Sequence, residues 1–207
     1  RDSGRIDNIQ YAIVCDGCSS SPDTDFGARL MAFTARERFK DNTWHTYEKF
    51  AWTTIDHLRA AIKPFSTLHP QTVDVTLLAA FVVGRVATIY MYGDGLLYYK
   101  SGDKVETVHV RYEMLDEGII KPAPDYLSYR MSLDREANYR SRKPTKIVSR
   151  NGVETSHGPF EPVILQRDVI DGDIMGVCSD GIDSFRSPNG DPISWQDMAK
   201  EFFGFKQ

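Results

Sequence analysis

Three short apolar stretches of the sequence each end in an Asp-Gly pair, and no other feature restricts the fold so strongly. They cover residues 11–15, 89–92 and 174–178, and the carboxylates that follow them are Asp16, Asp94 and Asp180. Short apolar runs rich in β-branched residues predict buried strands. Because burying a carboxylate costs free energy unless a partner compensates for it, three such strand ends in one chain favour a shared cation.

The composition favours one globular domain over residues 1–207. The chain is 41% hydrophobic and 26% charged, and its length allows a sizeable core. The formal net charge of −4 provides no basic excess for binding nucleic acid or an anionic membrane, and no apolar stretch is long enough to cross a bilayer. The three cysteines are too few, and odd in number, for a secreted disulfide framework, so we expect a reducing compartment, the cytoplasm.

Residues at helical spacing predict four helices. One begins near Asp25, with Asp23 or Thr24 as its cap, and the others cover residues 46–63, 126–139 and 194–203. Ser194 would cap the last helix, with Asp197 at the capping-box position. The expected apolar faces consist of Phe26, Leu30, Phe33 and Thr34 in the first helix and of Phe50, Ile55, Leu58 and Ile62 in the second.

The middle of the chain predicts an antiparallel meander of strands with short connections. The expected strands cover residues 75–83, 86–92, 96–100 and 104–112, with Gly93-Asp94-Gly95 as one of the turns. Two more short strands would follow at 145–148 and 163–167, before the strand that begins at Ile174. Residues 113–160 are otherwise the least regular part of the chain. Helices separated from antiparallel strands indicate an α+β fold.

The three Asp-Gly pairs suggest a site for a hard cation. Carboxylates that converge at one rim of a sheet are ligands suited to Mg²⁺ or Mn²⁺ rather than to zinc or copper. Asp-Gly is also a common turn dipeptide. For Asp94 the turn interpretation is favoured, since a hairpin is expected there. It is weaker for Asp16 and Asp180, because each precedes a loop leading into a helix, where a tight turn is not required.

Other chemistry finds little support in the sequence. Cys15 and Cys18 form one C-x-x-C pair without a second pair to complete a zinc site, and Cys15 is better explained as a small core residue. The five histidines show no i, i+4 ligand spacing, and the sequence contains neither a nucleophile elbow nor a phosphate-binding P-loop.

The ordered motifs resemble those of a known family, the metal-dependent Ser/Thr protein phosphatases (PPM, or type 2C). Residues 14–17, with the small-residue loop and the Gly27-Ala28-Arg29 helix after them, are similar to the V-x-D-G motif and its helix. Asp74-Val75-Thr76-Leu77 resembles the G-[ST]-T-x motif, with Asp in place of Gly. Gly93-Asp94-Gly95 resembles G-D-S, with Gly in place of Ser. Val177-Cys178-Ser179-Asp180-Gly181 resembles C/A-S-D-G. The resemblance extends from residue 2 to about residue 186.

This resemblance implies a fold, a cofactor and a set of site residues. The fold would be a four-layer αββα sandwich of two antiparallel sheets flanked by helices. Two Mn²⁺ or Mg²⁺ ions would bind, with Asp16 bridging both, the Gly17 carbonyl on one and Asp180 on the other. Asp94 would be an outer-shell ligand or hold a third ion, and Asp2 would contact metal-bound water. Asp16 and Asp180 would be the catalytic residues.

The resemblance also implies an activity. The chain would be a signalling hydrolase that cleaves phosphoserine and phosphothreonine in protein substrates. A water bridging the two ions would be the nucleophile, so that no covalent phospho-enzyme is needed. Residues 113–160 occupy the place of a variable flap beside the site. The substrate protein, the choice between Mn²⁺ and Mg²⁺, and the oligomeric state stay open.

Several residues depart from the family pattern. If Asp2 matches, Arg1 stands where the family has Glu or Gln, and Cys18 stands where some members have His. The family's phosphate-binding Arg would lie upstream of this chain. The last metal-binding Asp, in a D-N or D-D pair, is not matched by Asp183, Asp191 or Asp197, because these follow Asp180 too closely.

These departures leave three interpretations open. The chain is a fragment of an active phosphatase, truncated at both termini, or it is a catalytically weak or inactive phosphatase-like module that binds a partner protein. The third is a plain α+β domain in which the Asp-Gly pairs are only turns.

Overall fold

Two antiparallel sheets form the framework of the computed structural model, which describes residues 1–65, 67–194 and 197–198. The first sheet has the strand order β1-β2-β3-β4-β10, and the second has the order β11-β5-β6-β8-β9, with β7 paired to β6. The strands are β1 Asp2–Ile6, β2 Ile9–Val14, β3 Leu77–Val83, β4 Val86–Tyr92, β5 Gly95–Ser101, β6 Lys104–Asp116, β7 Ile119–Lys121, β8 Thr145–Arg150, β9 Val153–His157, β10 Val163–Asp168 and β11 Ile174–Cys178.

Two helices, α1 (Thr24–Lys40) and α2 (Tyr47–Ile62), lie against one face of the first sheet. Their apolar residues share a buried core with alternate residues of that sheet, including Ile13 and Leu77. The opposite face of the sheet supplies Leu78 and Met91 to a second core, where they meet Val108 and Val110 of the second sheet. The division follows from the two-residue alternation of strand side chains. The predicted fold class, an α+β sandwich of two antiparallel sheets flanked by helices, is confirmed.

The second predicted helix is also confirmed. The Thr46 hydroxyl accepts a hydrogen bond from the Lys49 amide (3.2 Å), which caps α2 as its sequence predicts. Phe50, Ile55 and Leu58 are fully buried in the core beneath it.

The apolar face predicted for α1 is wrong in part. Phe26 and Phe33 are 41% and 53% exposed, whereas Met31 and Phe39 are buried. The helix is turned so that Gly27 meets the 3₁₀ turn at Pro70–Val73, where a Cβ would lie only 1.7 Å from the Thr72 carbonyl oxygen. This close approach rotates the phenylalanines outward. Asp23 occupies the N-cap position, but its side chain makes no capping hydrogen bond.

The single helix predicted over residues 126–139 is also wrong. A 3₁₀ helix at Leu127–Met131 is followed by α3 at Leu133–Ser141. Ser132 separates them because it adopts an extended conformation and its hydroxyl accepts from the Arg135 amide (3.4 Å), as an N-cap does.

Three further differences concern strands and turns. The sequence did not predict β1, β7 and β9, whose residues are mostly polar or exposed. Gly93-Asp94-Gly95 was expected as a hairpin turn, but β4 and β5 belong to different sheets, so these residues cross between the sheets. In the terminal helix, Ser194 accepts from the Asp197 amide (3.2 Å) as expected, and the rest of that prediction lies outside the described residues.

Candidate metal centre

The C-terminal ends of β2 and β4 lie at the same edge of the sheet, because both strands flank β3 and run antiparallel to it. Val14 lies opposite Leu78, and Leu78 opposite Met91. Just beyond β2, the Asp16 carbonyl accepts from the Thr76 amide (2.8 Å), and the Asp16 amide donates to the Thr76 hydroxyl (3.2 Å). Thr76 therefore fixes the backbone at Asp16 from both sides.

Two glycines fix the connection that carries Asp94 from the first sheet to the second, and they place it between the other two Asp-Gly segments. Gly93 packs on Thr76, where a Cβ would come within 2.9 Å of the threonine methyl group, and Gly95 packs on Cys178, where a Cβ would lie 2.6 Å from the carbonyl oxygen. Both glycines have positive φ angles, 100° and 139°. Because Thr76 holds Asp16 and Cys178 precedes Asp180 by two residues, the structure brings the three Asp-Gly segments to one edge of the sandwich.

The electrostatics of Asp94 show the same convergence. Its side chain is buried, with the residue only 8% exposed. Burial, followed by the negative charge of Asp180 and then that of Asp16, raises the pKa of Asp94 to about 7. In the described part of the chain, Asp94 forms no ion pair with a lysine or an arginine. The charges of Asp180 and Asp16 thus disfavour the ionised form of Asp94, and Asp94 has no lysine or arginine partner among the described residues to offset them.

Gly17 presents its main chain to the same edge. It pairs with Val75 in an isolated antiparallel bridge whose hydrogen bonds are made by the flanking residues, so the Gly17 carbonyl points away from its partner. A Cβ at position 17 would lie 2.5 Å from the Cβ of Thr24 at the start of α1. Only glycine allows the helix to begin this close.

Asp2 is placed differently from the other predicted site residues. It lies opposite Ile13 in the β1–β2 pair, and its carboxylate is 3.4 Å from the Arg36 guanidinium on α1. The side chain therefore faces the helix layer. Its predicted contact with metal-bound water stays a prediction.

The donors at this edge suit a hydrated divalent cation. Within the described residues, no three His, Cys, Asp or Glu side chains form a ready-made metal site. Mg²⁺, however, keeps several waters and takes only one or two carboxylates from a protein, and Mn²⁺ also accepts carboxylate, carbonyl and water oxygens. Asp16, Asp180 and the Gly17 carbonyl would supply that donor set, and the raised pKa of Asp94 marks a negative charge that a cation would relieve.

Comparison with known proteins identifies the family. The family profile described as protein phosphatase 2C matches residues 3–117, more than half of the chain. The chain belongs to the protein phosphatase 2C family. The matched range contains Asp16, Gly17 and Asp94, and it ends before Asp180. No curated protein matches the chain significantly in sequence.

Two solved structures share the fold at a TM-score of 0.50. A chain of the bacterial stressosome is 13% identical with a TM-score of 0.50, covering 91% of this chain and 71% of its own. The phosphatase 2C domain of SpoIIE from Bacillus subtilis, solved with a fragment of its regulatory domain, is 12% identical with a TM-score of 0.50, and the match covers 99% of this chain and 50% of that chain. The phosphatase PstP, solved with two manganese ions, is 14% identical with a TM-score of 0.41, covering 93% and 83%.

The two cysteines that flank Asp16 and Gly17 are free thiols. Burial raises the pKa of Cys15 to about 12, and the residue packs against the helix-side core, as a small core residue does. Cys18 is partly exposed. Burial acts to raise its pKa, but hydrogen bonds with Ser20, Ser21 and Tyr126 together lower it below the usual value. The C-x-x-C spacing thus joins two thiols in unlike surroundings.

Two buried aspartates near the site were not singled out by the sequence. Asp74 binds Arg135, and Asp125 binds Lys146, and both partners lie more than twenty residues further along the chain. The one available signal was Asp74 itself, since the phosphatase 2C motif that it begins has glycine at that position. None of the helices in the described residues is long and apolar enough to span a membrane.

Proposed function

We propose that this phosphatase 2C chain hydrolyses phosphoserine and phosphothreonine monoesters in proteins with the help of two Mn²⁺ or Mg²⁺ ions. The observation that carries the proposal is the buried Asp94, whose pKa is raised to about 7 by burial and by Asp180 and Asp16. Such a cluster is unfavourable without positive charge, and phosphoryl transfer requires positive charge where the phosphate binds.

The chain offers a defined set of oxygen donors for this role. Asp16 would be shared by both ions, with the Gly17 carbonyl and Asp180 completing the set and Asp94 available to a third. When bound, the ions would neutralise the phosphoryl oxygens and lower the pKa of water, so that hydroxide attacks phosphorus at neutral pH.

The residues around these donors hold them in place. Thr76 fixes the Asp16 backbone with two hydrogen bonds, and the packing of Gly93 and Gly95 fixes Asp94 between the other two segments. Each donor is therefore attached to a strand end rather than to a free loop, and this limits the reorganisation needed when substrate binds.

Hydrolysis of p-nitrophenyl phosphate and of a phosphothreonine peptide in Mn²⁺ tests the proposal. Asp16→Asn keeps the side-chain shape and removes the shared charge. We expect kcat/KM to fall about a thousandfold, because metal ions contribute several kcal/mol to such reactions. Asp103→Asn, on the exposed turn between β5 and β6, is the matched control and should leave the rate unchanged. Equal rates for Asp16→Asn and the parent chain would refute the assignment.

A second candidate is a phosphatase-like module that binds a partner protein and has little activity. The observation that favours it is that no three acidic or other ligand side chains in the described residues already form a metal site. In that case the chain would bind fewer than two divalent ions and cleave neither substrate at any Mn²⁺ concentration.

A further inference from the structure

We propose that Asp74 and Arg135 form a latch that fixes residues 127–141 against the strand end carrying Asp16 and Gly17, and so sets the geometry of the candidate metal centre. Arg135 is a positioning residue in this proposal, which rests on the proposed function for its effect on metal binding. The latch itself stands on contacts that are independent of any metal.

The side chain of Asp74 is held by two residues of the 127–141 segment. Arg135 on α3 donates from one guanidinium nitrogen to both carboxylate oxygens, at 2.7 and 2.8 Å, and Ser128 donates its hydroxyl to Oδ1 at 2.7 Å. Asp74 is only 3% exposed, so this carboxylate depends on these donors for compensation. Arg135 also donates to the Pro70 carbonyl (3.1 Å), which ties α3 to the 3₁₀ turn before Asp74.

The main chain around Asp74 holds the candidate metal centre. The Asp74 carbonyl accepts from the Cys18 amide (2.9 Å), and two residues later Thr76 holds both the amide and the carbonyl of Asp16. Three hydrogen bonds thus clamp residues 16–18, including the Gly17 carbonyl between them: one to Asp74, whose side chain Arg135 binds, and two to Thr76. A displacement of Asp74 would move the proposed shared ligand.

The latched segment lies over the same edge of the sandwich. The Arg135 guanidinium stacks over the Tyr129 ring, 5.0 Å from its centroid, and Tyr129 packs against Tyr126 and Tyr139. Tyr126 forms a hydrogen bond with Cys18, two residues after Asp16, and burial, this bond and the charge of Asp94 raise its pKa. Arg135 therefore joins the tyrosine cluster above the site to the strand end beneath it.

Hydrogen exchange and Mn²⁺ titration of the whole chain test the latch. Arg135→Gln should speed backbone exchange in residues 127–141 and also in residues 16–18, and should weaken Mn²⁺ binding about tenfold, the effect typical of losing a group that orients a metal ligand. Arg135→Lys keeps the charge but has no second nitrogen to bind the Pro70 carbonyl at the same time, so its effects should lie between those of the parent chain and Arg135→Gln. Because Asp74→Asn breaks the same contact, the Asp74→Asn/Arg135→Gln double variant should bind Mn²⁺ no more weakly than Arg135→Gln alone.

Arg140→Gln is the matched control. Arg140 lies on the same helix, but it pairs with Glu136 and lies over Phe160 rather than binding Asp74. The Arg140→Gln variant should leave the backbone hydrogen exchange of residues 16–18 and the affinity for Mn²⁺ unchanged. The proposal is overturned if Arg135→Gln alters exchange only within 127–141, or if it alters residues 16–18 no more than Arg140→Gln does. If the parent chain binds no Mn²⁺, the proposed function fails, and exchange at residues 16–18 still decides the latch.

Discussion

Two kinds of buried aspartate lie close together in this fold, since the Tyr112 hydroxyl reaches both Asp125 and the Gly93 carbonyl beside Asp94. Asp125 is 4% exposed, and it is surrounded by donors, because Lys146 approaches it at 2.9 Å, the Phe160 amide at 2.5 Å and the Tyr112 hydroxyl also donates to it. Asp94 is buried almost as deeply, yet the strongest influences on its pKa are burial and other aspartates.

The difference separates structural carboxylates from candidate functional ones. Where the fold needs a buried negative charge for packing, as at Asp125 and Asp74, it supplies a lysine or an arginine from a distant element. At Asp94 the described residues supply no such ion pair. A charge left uncompensated in this way costs stability, and it is the condition that a binding site for a cation requires.

Breaking the Asp125 pair should have the largest effect on stability. Lys146 is 1% exposed, so Lys146→Met would leave the carboxylate buried without its cation and lower the free energy of unfolding by about 3–5 kcal/mol. Urea denaturation measures the change. Lys104→Met, at an exposed position, should have little effect, and Lys146→Met/Asp125→Asn should recover part of the loss. A loss below about 1 kcal/mol would show that this pair is not structural.

Asp94 should make the metal-free chain less stable as the pH rises. A carboxyl group whose pKa is raised by folding stabilises the folded state below its unfolded pKa, and this contribution is lost as the pH rises through the folded pKa, here between about pH 4 and pH 7. Asp94 alone would remove about 2–4 kcal/mol over that range. Denaturation at a series of pH values in EDTA should show that Asp94→Asn flattens this fall. An identical pH dependence in both chains would mean that Asp94 ionises normally.

The glycine packing around Asp94 predicts a smaller effect. Gly95→Ala places a Cβ against the Cys178 carbonyl at a backbone angle that only glycine adopts easily, so it should destabilise the chain by about 1–3 kcal/mol more than Gly102→Ala does. Gly102 also has a positive φ angle, but the space around it is open. Thermal unfolding compares the two variants, and equal melting temperatures would place Asp94 on a loose turn instead of a packed crossing.

The sequence predicts the features that depend on local pattern. The strands before Asp16, Asp94 and Asp180, the capped helix α2 and the α+β class all follow from residues within a short window. The family resemblance is confirmed by the match to protein phosphatase 2C, whereas the assignments of individual ligands stay predictions.

The missed features depend on contacts between distant parts of the chain. Asp74 and Arg135 are 61 residues apart, and neither residue shows a local pattern that would reveal the other. A Gly-Asp-Gly run reads as a hairpin whether its strands pair with each other or, as here, belong to different sheets. The apolar face of α1 was predicted wrongly for the same reason. Gly27 permits a contact with Thr72, distant in the sequence, that helical periodicity does not indicate.

Calorimetric titration of Mn²⁺ into the chain at pH 7.5 tests the central claim most directly. If Asp16, Asp94 and Asp180 form an edge that requires a divalent cation, the parent chain binds two ions and Asp16→Asn loses binding, while Asp103→Asn retains it. Binding that is equal in the parent and Asp16→Asn chains, or absent from both, would contradict the account.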